Sequence, residues 1–280
     1  MAAGAIRREI IGDATLYLGD ALDILPDIGR VDHAMFDPPY EDHMHNAKTP
    51  HVRGKKVHSG SRARIRNDGH ASPPPLDFAS ITDLREPLTQ LVAGMCDKWF
   101  LAFCTPEGVA AWRDAIEAAG AKYKRACFWD KIDGAPQFNG QGPAMPGENF
   151  VAAWCGPGHS HWSGGGKRGI YRAAVNTNRY GDGLGGEGHP TEKPLTLMAA
   201  LIEDFTAPGE LILDPCMGSG TTGAACLRAR RRFIGIEKKP EYFEIAVRRL
   251  RGTFAQPDFL REPEVLAKTV QPALIERKKA

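Results

Sequence analysis

The chain has 280 residues, 42% of them hydrophobic and 25% charged. That composition supports a folded domain with a sizeable core and excludes a disordered or fibrous chain. The formal net charge of +2 does not announce nucleic acid, so any case for it must rest on how charge is distributed.

No stretch of about 18 apolar residues suggests a membrane span, and Arg7, Arg8 and Glu9 break any apolar leader. Six cysteines, at 96, 104, 127, 155, 216 and 226, show no C-x-x-C spacing. They read as reduced thiols of a cytoplasmic protein. Ala14 to Leu18 reads as a strand, and Asp20 as the N-cap of a helix over Ala21–Leu25. Val31 to Phe36 reads as a buried parallel strand, although Asp32 and His33 interrupt it. Asp37-Pro38-Pro39-Tyr40 leaves its carboxyl end, where open α/β sheets bind ligands. Two prolines fix two φ angles, and Pro39 holds Pro38 extended. The turn presents a carboxylate, a carbonyl and an aromatic ring together. Two acceptors and a stacking surface suit an exocyclic amino group on a nucleobase. Asp and Pro are also ordinary turn residues.

The character then changes. From His43 to His70 there are seven basic residues, Lys48, Arg53, Lys55, Lys56, Arg62, Arg64 and Arg66, against one acid, Asp68. Hydrophobic periodicity is absent, and Ser72-Pro73-Pro74-Pro75 closes the segment. Loops of this length inside a domain are functional or disordered. Helical spacing resumes over Ile81–Met95, followed by a strand over Lys98–Cys104 and a helix over Pro106–Ala119, with Thr105 as cap and Gly120 as stop. Tyr123–Trp129 and Asn149–Trp154 read as strands joined by a polar loop containing Gln137, Phe138 and Asn139. If those strands pair antiparallel, the loop lies on the cleft side.

Gly156 to Gly188 is Gly-rich and basic, with Lys167, Arg168, Arg172 and Arg179 among Trp162, Tyr171 and Tyr180. Basic residues interleaved with aromatics suit backbone contact and base stacking. His159 and His161 have no matching ligands and argue no metal. A helix over Leu195–Phe205 precedes the strand Leu211–Leu213, which ends in Asp214 and the turn Pro215-Cys216-Met217-Gly218-Ser219-Gly220-Thr221-Thr222. Gly218 and Gly220 let a backbone approach a ligand closely. A helix over Thr221–Arg230 would open toward it with free N–H groups. The strand Arg231–Ile236 ends at Glu237, 19 positions after Gly218. An acid there suits a ribose diol. A helix over Glu241–Leu250 follows.

These two turns carry a resemblance. The chain resembles the amino-methylating DNA methyltransferases that use S-adenosylmethionine, with Asp37-Pro38-Pro39-Tyr40 as the catalytic turn and Asp214 to Thr221 as the cofactor turn. The order, catalytic motif first, is similar to the family's beta class. The resemblance implies that Asp20 lies beside the adenine of the cofactor. It also implies that His189, Thr191 and Lys193 of the run His189-Pro190-Thr191-Glu192-Lys193-Pro194 hold its methionine end, and that Asp214, Cys216, Gly218, Ser219, Gly220, Thr221 and Glu237 complete its site. It implies a doubly wound, mostly parallel seven-stranded α/β sheet of Rossmann-like type in permuted order. Residues 1–255 would form one catalytic domain, with 41–76 and 156–188 as DNA-contacting segments and 256–280 as a tail. The expected partner is double-stranded DNA, with no membrane and no metal, and a homodimer is common among relatives.

Two other readings stay in view. Gly218-Ser219-Gly220-Thr221-Thr222-Gly223 also satisfies G-x-G-x-x-G, the mark of a dinucleotide oxidoreductase. Against it, Asp214-Pro215 moves the glycines away from the strand end. A P-loop is excluded because no lysine follows Gly220. The other reading is a nucleic-acid binder without catalysis. Within the resemblance, an Asp opening the catalytic turn favours adenine N6 over cytosine N4 as the target.

Overall fold

The computed structural model describes residues 2, 4–39, 81–134, 143–175 and 192–256. Expectations for Tyr40, the basic insert, residues 135–142, Arg179, Tyr180, His189, Thr191 and residues 257–280 lie outside them.

Nine strands form one sheet among the described residues. They are β1 (Arg7–Ile11), β2 (Ala14–Leu18), β3 (His33–Phe36), β4 (Trp99–Cys104), β5 (Lys122–Lys131), β6 (Gly147–Trp154), β7 (Ile170–Ala173), β8 (Leu211–Asp214) and β9 (Arg232–Glu237), in the spatial order β1-β2-β9-β8-β3-β4-β6-β5-β7. The pairs β2–β9, β9–β8, β8–β3, β3–β4 and β5–β7 are parallel, and β1–β2, β4–β6 and β6–β5 are antiparallel. The mostly parallel sheet is as expected, but it has two strands more than seven. Charge hid β1. Among the described residues it is an edge strand paired only with β2, so its outward residues are free to be Arg and Glu. Arg7 ion-pairs with Glu9 and with Glu244, and the Arg8 guanidinium stacks over the Tyr17 ring. β7 hid because it is four residues long and alternates exposed with buried. It lies within the expected DNA-contacting segment 156–188, so part of that segment is sheet.

The helices are α1 (Ala21–Ile24), α2 (Arg85–Met95), α3 (Val109–Ala118), α4 (Leu195–Phe205), α5 (Thr221–Arg228) and α6 (Pro240–Ala255). Asp20 caps α1, its Oδ1 accepting from the Leu22 N–H at 3.0 Å. A 3₁₀ turn, Leu25–Asp27, follows. Both long helices beyond the Pro-rich segment start later than periodicity suggests, and Thr105 Oγ1 accepts from Gly108 N in the turn before α3.

β4 explains the layering. All six of its residues are buried. Trp99, Leu101 and Phe103 join a core with α4, α5 and α6, while Phe100, Ala102 and Cys104 join one with α1, α2 and α3. A strand's period of two sends alternate side chains to opposite faces, so helices cover both. Phe36 meets Phe100 and Trp112 edge to face in the second core, with the Phe36 and Phe100 centroids 5.2 Å apart. Each such burial is worth about 1.5–3 kcal/mol.

Asp32 and His33, which break the apolar run, are satisfied at the amino ends of the strands. Asp32 Oδ2 accepts from Leu211 N at 2.8 Å. His33 Nδ1 accepts from Trp99 N at 3.3 Å, and its Nε2 lies 2.8 Å from Glu210. Burial lowers the His33 pKa despite Glu210, so the ring is a neutral bridge. All six cysteines are free. Four are buried, and Cys155 and Cys216 are half-buried.

Topology positions the cleft. From β3 the chain passes through α2 to β4 on one side, and from β8 it passes through α5 to β9 on the other. The direction of winding therefore reverses between β8 and β3, which are neighbours. Ligands in open α/β sheets bind outside the carboxyl ends of strands at such a reversal. No helix among the described residues is long and apolar enough to cross a membrane.

Candidate active site

Four carboxylates follow the carboxyl ends of four adjacent parallel strands. Asp20 follows β2, Glu237 ends β9, Asp214 ends β8 and Asp37 follows β3. Two of these strands come from the first 40 residues and two from beyond residue 210, so the fold brings together what the sequence separates.

Each acid is held differently. Glu237 accepts from backbone groups that include Gly218 N at 3.0 Å and Lys239 N at 2.7 Å. Burial still raises its pKa above the ordinary value. Asp214 is pushed up to about 7, first by burial and also by the nearby charges of Asp37 and Glu237. Cys216 N and the Thr222 hydroxyl work against the rise. Burial opposes ionisation of Asp20 too, but Lys238 at 2.8 Å and the Leu22 N–H outweigh it, and its pKa is lowered.

The Gly-rich turn between β8 and α5 bends through left-handed positions, Gly218 at φ 51° and Gly220 at φ 80°. At Gly220 a Cβ would sit 2.9 Å from Ala246 Cβ. The freedom of Gly220 is therefore required by packing against α6 as well as by the turn itself. Arg249 of α6 steadies the same turn. One terminal nitrogen donates to Ser219 O, Ser219 Oγ and Thr221 Oγ1 at 3.0, 2.9 and 2.8 Å, and the other to both carboxylate oxygens of Glu192.

On the catalytic side, Lys193 is buried with its Nζ 2.5 Å from Asp37 Oδ2 and 3.0 Å from Glu148 Oε2, 4.9 Å from the Phe103 ring centre. Burial would lower the lysine pKa, but Asp37 and Glu148 outweigh it and raise it. The ammonium stays charged. Glu148 also ion-pairs with Lys131.

Of the residues singled out from sequence, Asp20, Asp37, Pro38, Pro39, Lys193, Asp214, Cys216, Gly218, Ser219, Gly220, Thr221 and Glu237 gather at this edge. Lys167 and Arg172 are exposed and bind Asp204 and Asp130 respectively, and Arg168 is exposed. Tyr171 is no stacking platform. It is buried and donates to Asp204 Oδ2 at 3.0 Å, because its position in β7 points inward. Trp162 packs beside Phe205. Sequence reasoning missed Glu148, Glu192 and Arg249. Glu192 lies inside a motif already singled out, whereas the partners of the other two are set only by the fold.

The fold is that of the S-adenosylmethionine-dependent methyltransferases. The structure superposes on PvuII DNA methyltransferase (cytosine-N4-specific) with a TM-score of 0.65, over 89% of this chain and 95% of that one at 15% identity. The M1.HpyAVI-SAM complex gives 0.62, over 85% and 98% at 24% identity. Residues 146–248 match a family model described as DNA methylase. YubD of Escherichia coli K12 is 48% identical over 66 residues, 24% of this chain and 29% of that protein. The DNA adenine methyltransferase YhdJ of the same strain is 47% identical over 64 residues, 23% of this chain and 22% of that protein. The matched stretches thus span less than a third of these relatives' own length.

Proposed function

We propose that this chain is a site-specific DNA methyltransferase of the beta class that methylates the exocyclic N6 of adenine in double-stranded DNA, with S-adenosylmethionine as methyl donor. One observation carries the reading. The Asp37 turn and the Asp214 turn leave neighbouring parallel strands, β3 and β8, where the sheet reverses its winding. A donor site and an acceptor site would then share one cleft.

The residues fit such a donor. A row of acids suits a ligand that carries positive charge, an amine and a diol. Asp20 is assigned to the adenine amine, Glu237 to the ribose hydroxyls, and Asp214, Cys216, Gly218, Ser219, Gly220 and Thr221 to the body of the ligand. Lys193, with His189 and Thr191, is assigned to the methionine end. When bound, S-adenosylmethionine supplies an electrophilic methyl group.

The target base leaves the duplex stack, where its amine is out of reach. Tyr40 stacks on it. The Asp37 carboxylate and the Pro38 carbonyl accept its two N–H groups, which draws the amine lone pair out of the ring and aims it at the methyl. Positioning of this kind supplies much of a rate enhancement. The proton released from the new amine passes through Asp37. Phosphate contacts are assigned to the basic insert and to Lys167, Arg168 and Arg172, which retain exposed side chains. The same reading places the enzyme in the cytoplasm.

Adenine is favoured by the Asp that opens the turn and by the adenine specificity named for YhdJ. Cytosine N4 is the alternative, since its amine asks for the same acceptors. The test is to incubate the protein with DNA and S-adenosylmethionine and digest the product to nucleosides. N6-methyladenine is expected. N4-methylcytosine alone would reverse the base assignment, and neither product would overturn the function.

A further inference from the structure

Glu148 is an acid, half-buried and beside the catalytic turn, and the chemistry above leaves it without a task. It is the second residue of β6. That strand runs antiparallel to β4, with Asn149 opposite Cys104. Its amino end therefore lies at the same edge as the carboxyl ends of β3 and β4. The Glu148 side chain is 13% exposed and reaches Lys193 with one oxygen and Lys131 with the other. Asp37, Lys193, Glu148 and Lys131 form an alternating row of charges, from the catalytic turn across to β5.

This arrangement has a chemical consequence. A buried ammonium 2.5 Å from Asp37 withdraws negative charge from the carboxylate meant to accept the target amine. A second carboxylate on the same ammonium offsets that withdrawal, since a like charge nearby acts on Asp37 opposite to Lys193. We propose that Glu148 is a positioning residue for the catalytic turn: by sharing Lys193 with Asp37, it sets how strongly Asp37 accepts a hydrogen bond from the target amine. The inference rests on the methyl-transfer reading. Among the described residues, the charged and titratable groups around Asp37 are Lys193 before α4, Glu148 on β6, Lys131 beyond it on β5, Cys104 at the end of β4, and Asp214 and Cys216 at the end of β8. Lys193 pairs directly with Asp37, and Glu148 pairs with Lys193.

The experiment compares wild type with Glu148→Gln and Glu148→Asp. Carbon-13 NMR of the aspartate carboxyl groups, without DNA or cofactor, follows the titration of Asp37, assigned by its loss in Asp37→Asn. In Glu148→Gln the Asp37 midpoint should move to lower pH. The acid limb of the methylation pH profile should move the same way, with kcat down about tenfold, less than the loss of a positioned proton-handling group itself. Affinity for S-adenosylmethionine should stay within about twofold. Glu148→Asp keeps the charge and should keep the midpoint. Lys131→Met should move it upward, which supplies a second reading if Glu148→Gln does not fold. A folded Glu148→Gln whose Asp37 titration and acid limb both stay in place overturns the inference. A wild type that methylates no DNA overturns the functional reading instead, and the NMR titration separates the two.

Discussion

Arg249 and Glu192 are 57 positions apart and form an ion pair, with side chains only 11% and 7% exposed. The pair fastens the last described helix to the segment entering α4, and the other arm of Arg249 holds Ser219 and Thr221. Removing one member of a buried pair strands the other charge and typically costs about 3–5 kcal/mol. Glu192→Ala should therefore lower unfolding stability by about 3 kcal/mol in denaturant titration. It should also weaken S-adenosylmethionine binding at least about tenfold, roughly 1.4 kcal/mol, because the Gly-rich turn loses its brace. Calorimetric binding to folded Glu192→Ala that matched wild type would separate the brace from the ligand site.

Asp37 and Glu237 sit on the same edge but are given different tasks. Asp37→Ala is expected to lose at least about a hundredfold in methylation rate, the scale of a positioned acid–base group. It should still bind the cofactor within a few fold. Glu237→Ala should do the reverse, raising the cofactor dissociation constant first. Single-turnover methylation beside equilibrium binding distinguishes the two. Equal methylation by Asp37→Ala and wild type would remove Asp37 from the mechanism.

Asp214 makes a pH prediction. Its folded pKa is about 7 against an ordinary 3.8, with burial as the first cause. Between those values the folded state holds a proton that the unfolded chain has lost. The contribution to stability is therefore full below about pH 4 and is lost as pH rises through about 7. Unfolding free energy of the wild type, relative to Asp214→Asn, should fall by on the order of 3 kcal/mol across that window. Urea titrations of the two proteins from pH 4 to 8 measure the difference. Parallel curves would show that Asp214 titrates like an exposed acid.

The basic insert makes a prediction about salt. Residues 43–70 carry seven Lys/Arg and one Asp, a formal +6 with histidines neutral. Each phosphate neutralised on duplex DNA contributes about 0.9 to the slope of log affinity against log salt. Replacing Arg62, Arg64 and Arg66 with Ala should flatten that slope by roughly two units and leave cofactor affinity unchanged. DNA binding at several salt concentrations gives the slope. If it does not change, phosphate contact passes to Lys167, Arg168 and Arg172.

Much of the site was legible because rigid local chemistry marks it. Prolines and glycines fixed the two turns, and a count from Gly218 found Glu237. Asp20 was readable both as a helix cap and as a ligand for the amine, and the cap is present. Glu148 and Arg249 were not legible. Their meaning depends on which side chains approach across the sheet, and Glu148 has no motif around it. β1 was lost because an edge strand tolerates Arg and Glu, so alternation carried no hydrophobic signal. Tyr171 was misread for the opposite reason. Aromatics between basic residues look like a stacking surface until a short strand turns the ring inward.

The pairing of β2 with β9 bears on how the protein is made. Leu18 lies beside Glu237, so the N-terminal strand waits for its parallel neighbour while about 200 residues are translated, roughly 10–40 s at ordinary elongation rates. Through that interval β2 has only β1 beside it in the sheet. The Arg and Glu of β1 discourage pairing on its own outer edge, while the edge of β2 that will receive β9 stays open. Nascent chains halted before residue 232 should be the aggregation-prone ones. Release of β9 closes the sheet and assembles the acidic edge in the same late step.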